Sequence, residues 1–171
     1  MNRPSSIEYL GNQDLLNCRK WGFIASRTIP SDEVLRCYDW ASERAAAGDC
    51  VVSGFQSPIE RDVLHFLLKK RIPIVVVLAR AIYKHIPEEL REAYDNGSLL
   101  FISVNNALRT NQVAAKARNH YVAELANTIV FGMLTKESSL YEIFIRHAED
   151  TRKLVLILKD EVKNQTAYTQ Q

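Results

Sequence analysis

The sequence has 171 residues, 47% of them apolar and 25% charged, with a formal net charge of +2. A chain of this size can bury a core as one domain, and its 6 glycines and 5 prolines exclude a disordered or low-complexity protein. The net charge is too small to mark a nucleic-acid binder by itself; a local basic stripe would have to do so.

Cys18, Cys37 and Cys50 form no C-x-x-C pair, and the four histidines lack metal-ligand spacing. No metal and no cofactor is assigned. The N-terminus has no signal-peptide core, and no apolar run approaches the ~20 residues of a membrane span. The expected compartment is a reducing cytoplasm with free thiols and no membrane contact.

Taken in chain order, the first strand is expected at residues 21–25, "WGFIA". It ends in the polar loop Ser26-Arg27-Thr28. A helix follows over 32–47, capped by Ser31 and stopped by Gly48. The second strand, 51–53, runs into Gly54-Phe55-Gln56-Ser57 and a helix over 58–70 that opens on Pro58. Glu60 and Asp62 in its first turn read as surface acids that suit the helix dipole. The third strand, 74–78, leads to Arg80, Lys84 and His85, and then to a helix over 87–95. The fourth strand is 99–103, and the helix over 113–126 carries Lys116, Arg118, Asn119 and His120. The fifth strand, 128–131, precedes a helix over 138–149 with Ser138 as its cap. The sixth is 154–158, and residues 159–171 form a polar tail.

The continuous apolar runs predict strands covered on both faces. The strict alternation of strands and helices predicts an α/β fold: a Rossmann-like, doubly wound, mostly parallel six-stranded sheet with helices on both faces. One domain spans 1–158. The expected strand order is 3-2-1-4-5-6, with a ligand crevice at the carboxyl ends of the strands. That geometry gathers the loops after residues 25, 53 and 131.

Those loops hold the candidate site. A guanidinium and hydroxyls at a helix N-terminus suit an anion, which points to Ser26 and Arg27. Gly54 allows the backbone to approach a ligand, with Gln56 and Ser57 beside it. Arg118 and Asn119 add a polar cluster, and Lys136 and Ser138 flank the start of the last helix. No G-x-S-x-G elbow and no Walker A loop is present, and Cys50 reads as core. No catalytic set is found.

Together these segments resemble the Rossmann-like core of the DNA-processing protein A family (DprA, or Smf). That family lies within a wider superfamily of nucleotide-sensing and nucleotide-processing domains. The likeness runs from residue 10 to residue 158. Leu10-Gly11-Asn12 with Leu15-Leu16 is similar to the opening segment, Ala25-Ser26-Arg27 to the loop after the first strand, and Ser53-Gly54-Phe55 through Ile59-Glu60 to the second motif. Ile74 to Leu78 with Tyr83 and Pro87, Gly97 to Ser103, Arg118-Asn119-His120, and Lys136 to Leu140 match the later ones.

The resemblance implies a single-stranded DNA-binding protein of DNA uptake and recombination, without catalysis. It further implies a homodimer that hands the strand to a RecA-type recombinase. Arg27, Arg118, Asn119 and Lys136 are the implied DNA contacts. Ser57, Pro58, His120 and Glu137 stand where the family pattern has a basic residue, a glycine, a second arginine and a serine. Fewer cations mean fewer phosphates neutralised. Two further readings follow from the superfamily. One is a sensor domain for a nucleotide or nucleotide-derived ligand; the other is a phosphoribohydrolase using Glu142 as its acid.

Overall fold

The computed structural model describes residues 7–158. The polar tail expected at 159–171 lies outside the described residues. Five strands, β2 (Lys20–Ile24), β3 (Cys50–Ser53), β4 (Ile74–Leu78), β5 (Leu99–Ser103) and β6 (Thr128–Phe131), are buried at nearly every position. Apolar side chains on both faces leave them no stable place except between two layers of helices. Two edge strands complete the sheet: β1 (Glu8–Gly11) and β7 (Leu154–Ile157).

The helices are α1 (Ser31–Ala47), α2 (Pro58–Leu68), α3 (Arg91–Asp95), α4 (Gln112–Leu125) and α5 (Tyr141–Ala148). Their termini follow local chemistry. α1 stops where Gly48 takes a left-handed φ of 74° and its N–H returns to the Ala45 carbonyl. α4 starts where the Asn111 side chain accepts from the Ala114 N–H.

α1 and α2 cover one face, packing on Phe23, Val51, Val76 and Phe101. α4 and α5 cover the other, on Ile24, Val52, Ile129 and Phe131. The doubly wound α/β expectation holds, with three corrections.

The sheet has seven strands, in the order β1-β5-β4-β3-β2-β6-β7. The six anticipated strands are all present and pair parallel with one another. Their order is 4-3-2-1-5-6, where 3-2-1-4-5-6 was expected. The added strand β1 pairs antiparallel with β5, Glu8 opposite Ser103 and Gly11 opposite Leu100. It covers the edge that β5, a wholly buried strand, would otherwise expose. The long crossover is α4, which leaves β5, packs beneath β4, β3 and β2, and delivers the chain to β6.

The second correction concerns helix ends. The segment 87–95 is a 3₁₀ turn, Glu88–Leu90, followed by the short α3. The last helix begins at Tyr141, not at residue 138. Ser138 caps no helix; its Oγ accepts from the Leu140 N–H at 3.1 Å in a local turn. Likewise Ser31 is the first residue of α1 and makes no capping bond.

The third correction is Glu60, expected on the surface. It is buried, 2% exposed.

The crossover leaves a mark on the sequence. A Cβ on Gly22 would lie 2.7 Å from the Ala126 Cβ, so only glycine lets the end of α4 sit against β2. Gly22→Ala should cost roughly 1–3 kcal/mol by overpacking. Urea unfolding followed by circular dichroism measures it, and an unchanged midpoint would argue against this packing.

Candidate functional site

The strand order places β3 and β6 on either side of β2, so the loops after all three meet at one end of the sheet. α4 starts at the same end and runs back under the sheet. Between them lies a cleft of about 850 Å³. It is lined by Ala25, Ser26 and Arg27 from the first loop, and by Gln56, Ser57, Glu60 and Arg61 from the second. Thr110 to Gln112, Lys116, Arg118 and Asn119 line it from α4 and its approach, and Ser139 and Leu140 from the loop after β6.

The floor is built around Glu60. Ser57 caps α2, its Oγ accepting from the Glu60 N–H at 3.3 Å, and Pro58 follows as the first helical residue. The Glu60 carboxylate turns back into the loop. Oε1 accepts from the backbone N–H groups of Gln56 (3.0 Å) and Ser57 (3.2 Å), and Oε2 from the N–H of Ala25 at 3.0 Å. A single buried carboxylate therefore ties the end of β2 to the N-terminus of α2. Phe55, just before, holds a left-handed φ of 49°, and its N–H donates to Ser53 Oγ. A non-glycine residue seldom adopts this conformation. It turns the chain so that the amides after it face Glu60.

Arg118 supplies the charge. It lies on the buried stripe of α4 with Ala114 and Val122, and is 6% exposed. Its side chain runs across Gly54, where a Cβ would collide with the Arg118 Nε, Cδ and Cζ atoms. Nε and Nη2 donate to Asn119 Oδ1, both at 3.3 Å. Guanidinium carries five N–H donors. Among the described residues Arg118 forms no ion pair, and its Nη1 makes no hydrogen bond. Burial pushes the Arg118 pKa down and the nearby charge of Glu60 opposes that shift. A guanidinium keeps its proton under such conditions. The result is a cation buried along most of its length whose remaining donors open onto the wall of the cleft.

The other anticipated residues distribute unevenly. Ser26 Oγ and Ser138 Oγ stand 3.4 Å apart, joining the loops after β2 and β6. Arg27 and Gln56 are exposed on the rim, while Ser57 is buried in its capping role. Lys136 is exposed in the turn before α5 and does not line the cleft. Arg61, Thr110, Asn111 and Gln112 line it and were not anticipated. Arg61 is marked in the sequence only as a charge near a helix start, but Asn111 three residues before Ala114 is a capping signal.

Lys116 and Glu142 form an ion pair at 2.7 Å across α4 and α5. The Lys116 ammonium holds the Glu142 carboxyl below the ordinary carboxylate range, so it is ionised at neutral pH. A second hollow of about 430 Å³ opens beside the cleft, sharing Gln56 and Arg61 and walled by Phe55, Tyr83 and Phe101. Arg80 lies over the Tyr83 ring, 4.9 Å from its centre.

The model of the DNA recombination-mediator protein A family matches residues 1–171. The chain belongs to this family. No curated relative matches it. Among solved structures, the DNA processing protein A of Helicobacter pylori, described for its single-stranded DNA binding mode, is similar with a TM-score of 0.72 at 19% identity. That match covers 95% of this chain and 76% of the other. DprA from Streptococcus pneumoniae gives a TM-score of 0.69 at 19% identity, covering 88% of this chain and 54% of that one. The present chain thus spans about half of the S. pneumoniae protein. The molybdenum cofactor binding protein of Rippkaea orientalis shares the fold more distantly, with a TM-score of 0.58 at 11% identity over 85% of this chain and 79% of the other. These likenesses establish the Rossmann-like fold.

Among the described residues, no helix is long and apolar enough to cross a membrane, and no group of three or more His, Cys, Asp or Glu could hold a metal ion. The buried Cys37 and Cys50 thiols are pushed up to about 12 by burial, in keeping with core positions.

The ion pair at the cleft gives a pH prediction. Lys116→Ala should return the Glu142 carboxyl upward to the ordinary carboxylate range, as read by carbon NMR titration of the side chain. A titration unmoved by the substitution would contradict the pairing.

Proposed function

We propose that the chain binds single-stranded DNA, with the strand lying across the carboxyl ends of β2, β3 and β6 and one phosphate on Arg118. The observation that carries this reading is the buried Arg118 guanidinium, whose free donors border a cleft open enough for a polynucleotide. An anion in the cleft gives these donors a charge-assisted partner. Arg27 and Arg61, exposed on the rim, extend the positive track, and Asn119 holds the guanidinium in register. Membership in a recombination-mediator family supports the same reading. The role in uptake and recombination, the homodimer, the RecA-type partner and the cytoplasmic location that the resemblance implies are part of the same proposal.

We propose no catalytic step. Glu142, the candidate acid of the hydrolase reading, is ionised by Lys116 and has no proton to give at neutral pH. Binding of a nucleotide or a nucleotide-derived signal is the second reading. It draws support from the aromatic-walled hollow beside the cleft, which suits a base.

The test is a titration of labelled oligothymidylate at two ionic strengths. Saturable binding that weakens steeply with salt is expected. Arg118→Met should weaken it by roughly tenfold or more, the loss of one charge-assisted phosphate contact. Absence of binding at low salt would overturn the proposal.

A further inference from the structure

We infer that Glu60 restricts the cleft to singly charged, internal phosphodiesters and turns away terminal phosphate monoesters. The inference rests on the strand-binding reading above and adds which part of a strand the site accepts.

A helix N-terminus at a strand end is ordinarily a place for an anion. Backbone N–H groups point outward there, and the helix dipole favours an anion. Here the three amides that would form such a cradle, those of Ala25, Gln56 and Ser57, already carry the Glu60 carboxylate at 3.0, 3.0 and 3.2 Å. Glu60 is 2% exposed and the capping box fixes its helix position. The chain's own anion fills the place of a phosphate. A ligand phosphate must therefore bind next to it, on the α4 side of the cleft.

On that side the buried cation is Arg118, 6% exposed, with Nη1 unpartnered. The Glu60 carboxylate acts on it electrostatically without forming an ion pair. Lys116 is spent on Glu142. Arg27 and Arg61 are exposed, where water and salt screen them. An internal phosphodiester brings one negative charge to this centre, and the free donors of Arg118 can meet it. A monoester carries about −1.5 to −2 at neutral pH, by analogy with phosphorylated side chains. The second charge would find no buried cation and would face the Glu60 carboxylate. The site then grips a strand along its backbone at any position and gains nothing from a phosphorylated end. Free mononucleotides, whose phosphates are all terminal, are poor ligands for the same reason.

The experiment compares an oligothymidylate bearing a 5′-hydroxyl with the same oligomer bearing a 5′-phosphate. Thymidylyl-thymidine, which has one internal diester, and thymidine 5′-monophosphate serve as competitors. The two oligomers should bind within about twofold of each other, and only the dinucleoside phosphate should compete. Preference for the 5′-phosphate by roughly tenfold or more, or displacement by the mononucleotide, would overturn the inference while leaving strand binding intact. Failure of both oligomers to bind would overturn both. Glu60→Gln, which removes the charge and keeps the size, should shift the ratio of the two oligomers toward the phosphorylated one by roughly tenfold. Circular dichroism reports whether that variant folds. A folded variant with an unchanged ratio contradicts the role given to Glu60. If it does not fold, the wild-type comparison decides.

Discussion

One buried carboxylate organises the end of this sheet. Glu60 accepts from Ala25 at the end of β2 and from Gln56 and Ser57 at the start of α2, so two loops from adjacent strands share one anchor. Charge-assisted bonds from three amides are strong because the carboxylate is out of water and fully engaged. Everything else at the cleft is positioned from there. Phe55 is held in its left-handed turn between Gly54 and Gln56, and Arg118 crosses Gly54 with no side chain in its way.

The same interaction sets the electrostatics. A cation as deeply buried as Arg118 would be costly alone. Asn119 satisfies part of its donor set and the field of Glu60 offsets part of the desolvation, without an ion pair that would consume the guanidinium. This leaves donors available at a cleft wall. Rim cations have a different part: Arg27 and Arg61 are exposed, so they attract an approaching polyanion more than they fix it.

Much of the fold was legible because continuous apolar runs leave few options. All six anticipated strands form, and helices cover both faces. The strand order was not legible: nothing local in 99–103 says on which side of the sheet it pairs, and the answer comes from α4 crossing under three strands and β1 covering the edge. At the site, Ser26, Arg27, Gly54, Gln56, Ser57, Arg118, Asn119 and Ser138 converge on the joined loops, because the carboxyl ends of parallel strands collect there. Lys136 falls outside the cleft, since the chain turns for several residues before α5 begins. Glu60 reads from the sequence as a surface acid and is buried. The capping pattern Ser57-x-x-Glu60 was visible, but not that the carboxylate would also reach across to Ala25. The burial of Arg118 was readable in principle from its spacing with Ala114 and Val122, against the pull of its charge.

The most direct test of this account is a crystal structure of the protein with a short oligothymidylate. The account predicts a backbone phosphate within hydrogen-bond distance of Arg118 Nη1, with the Glu60 carboxylate still on the amides of Ala25, Gln56 and Ser57. A phosphate seated on those amides with Glu60 turned out, or a strand bound away from Arg118, would contradict it.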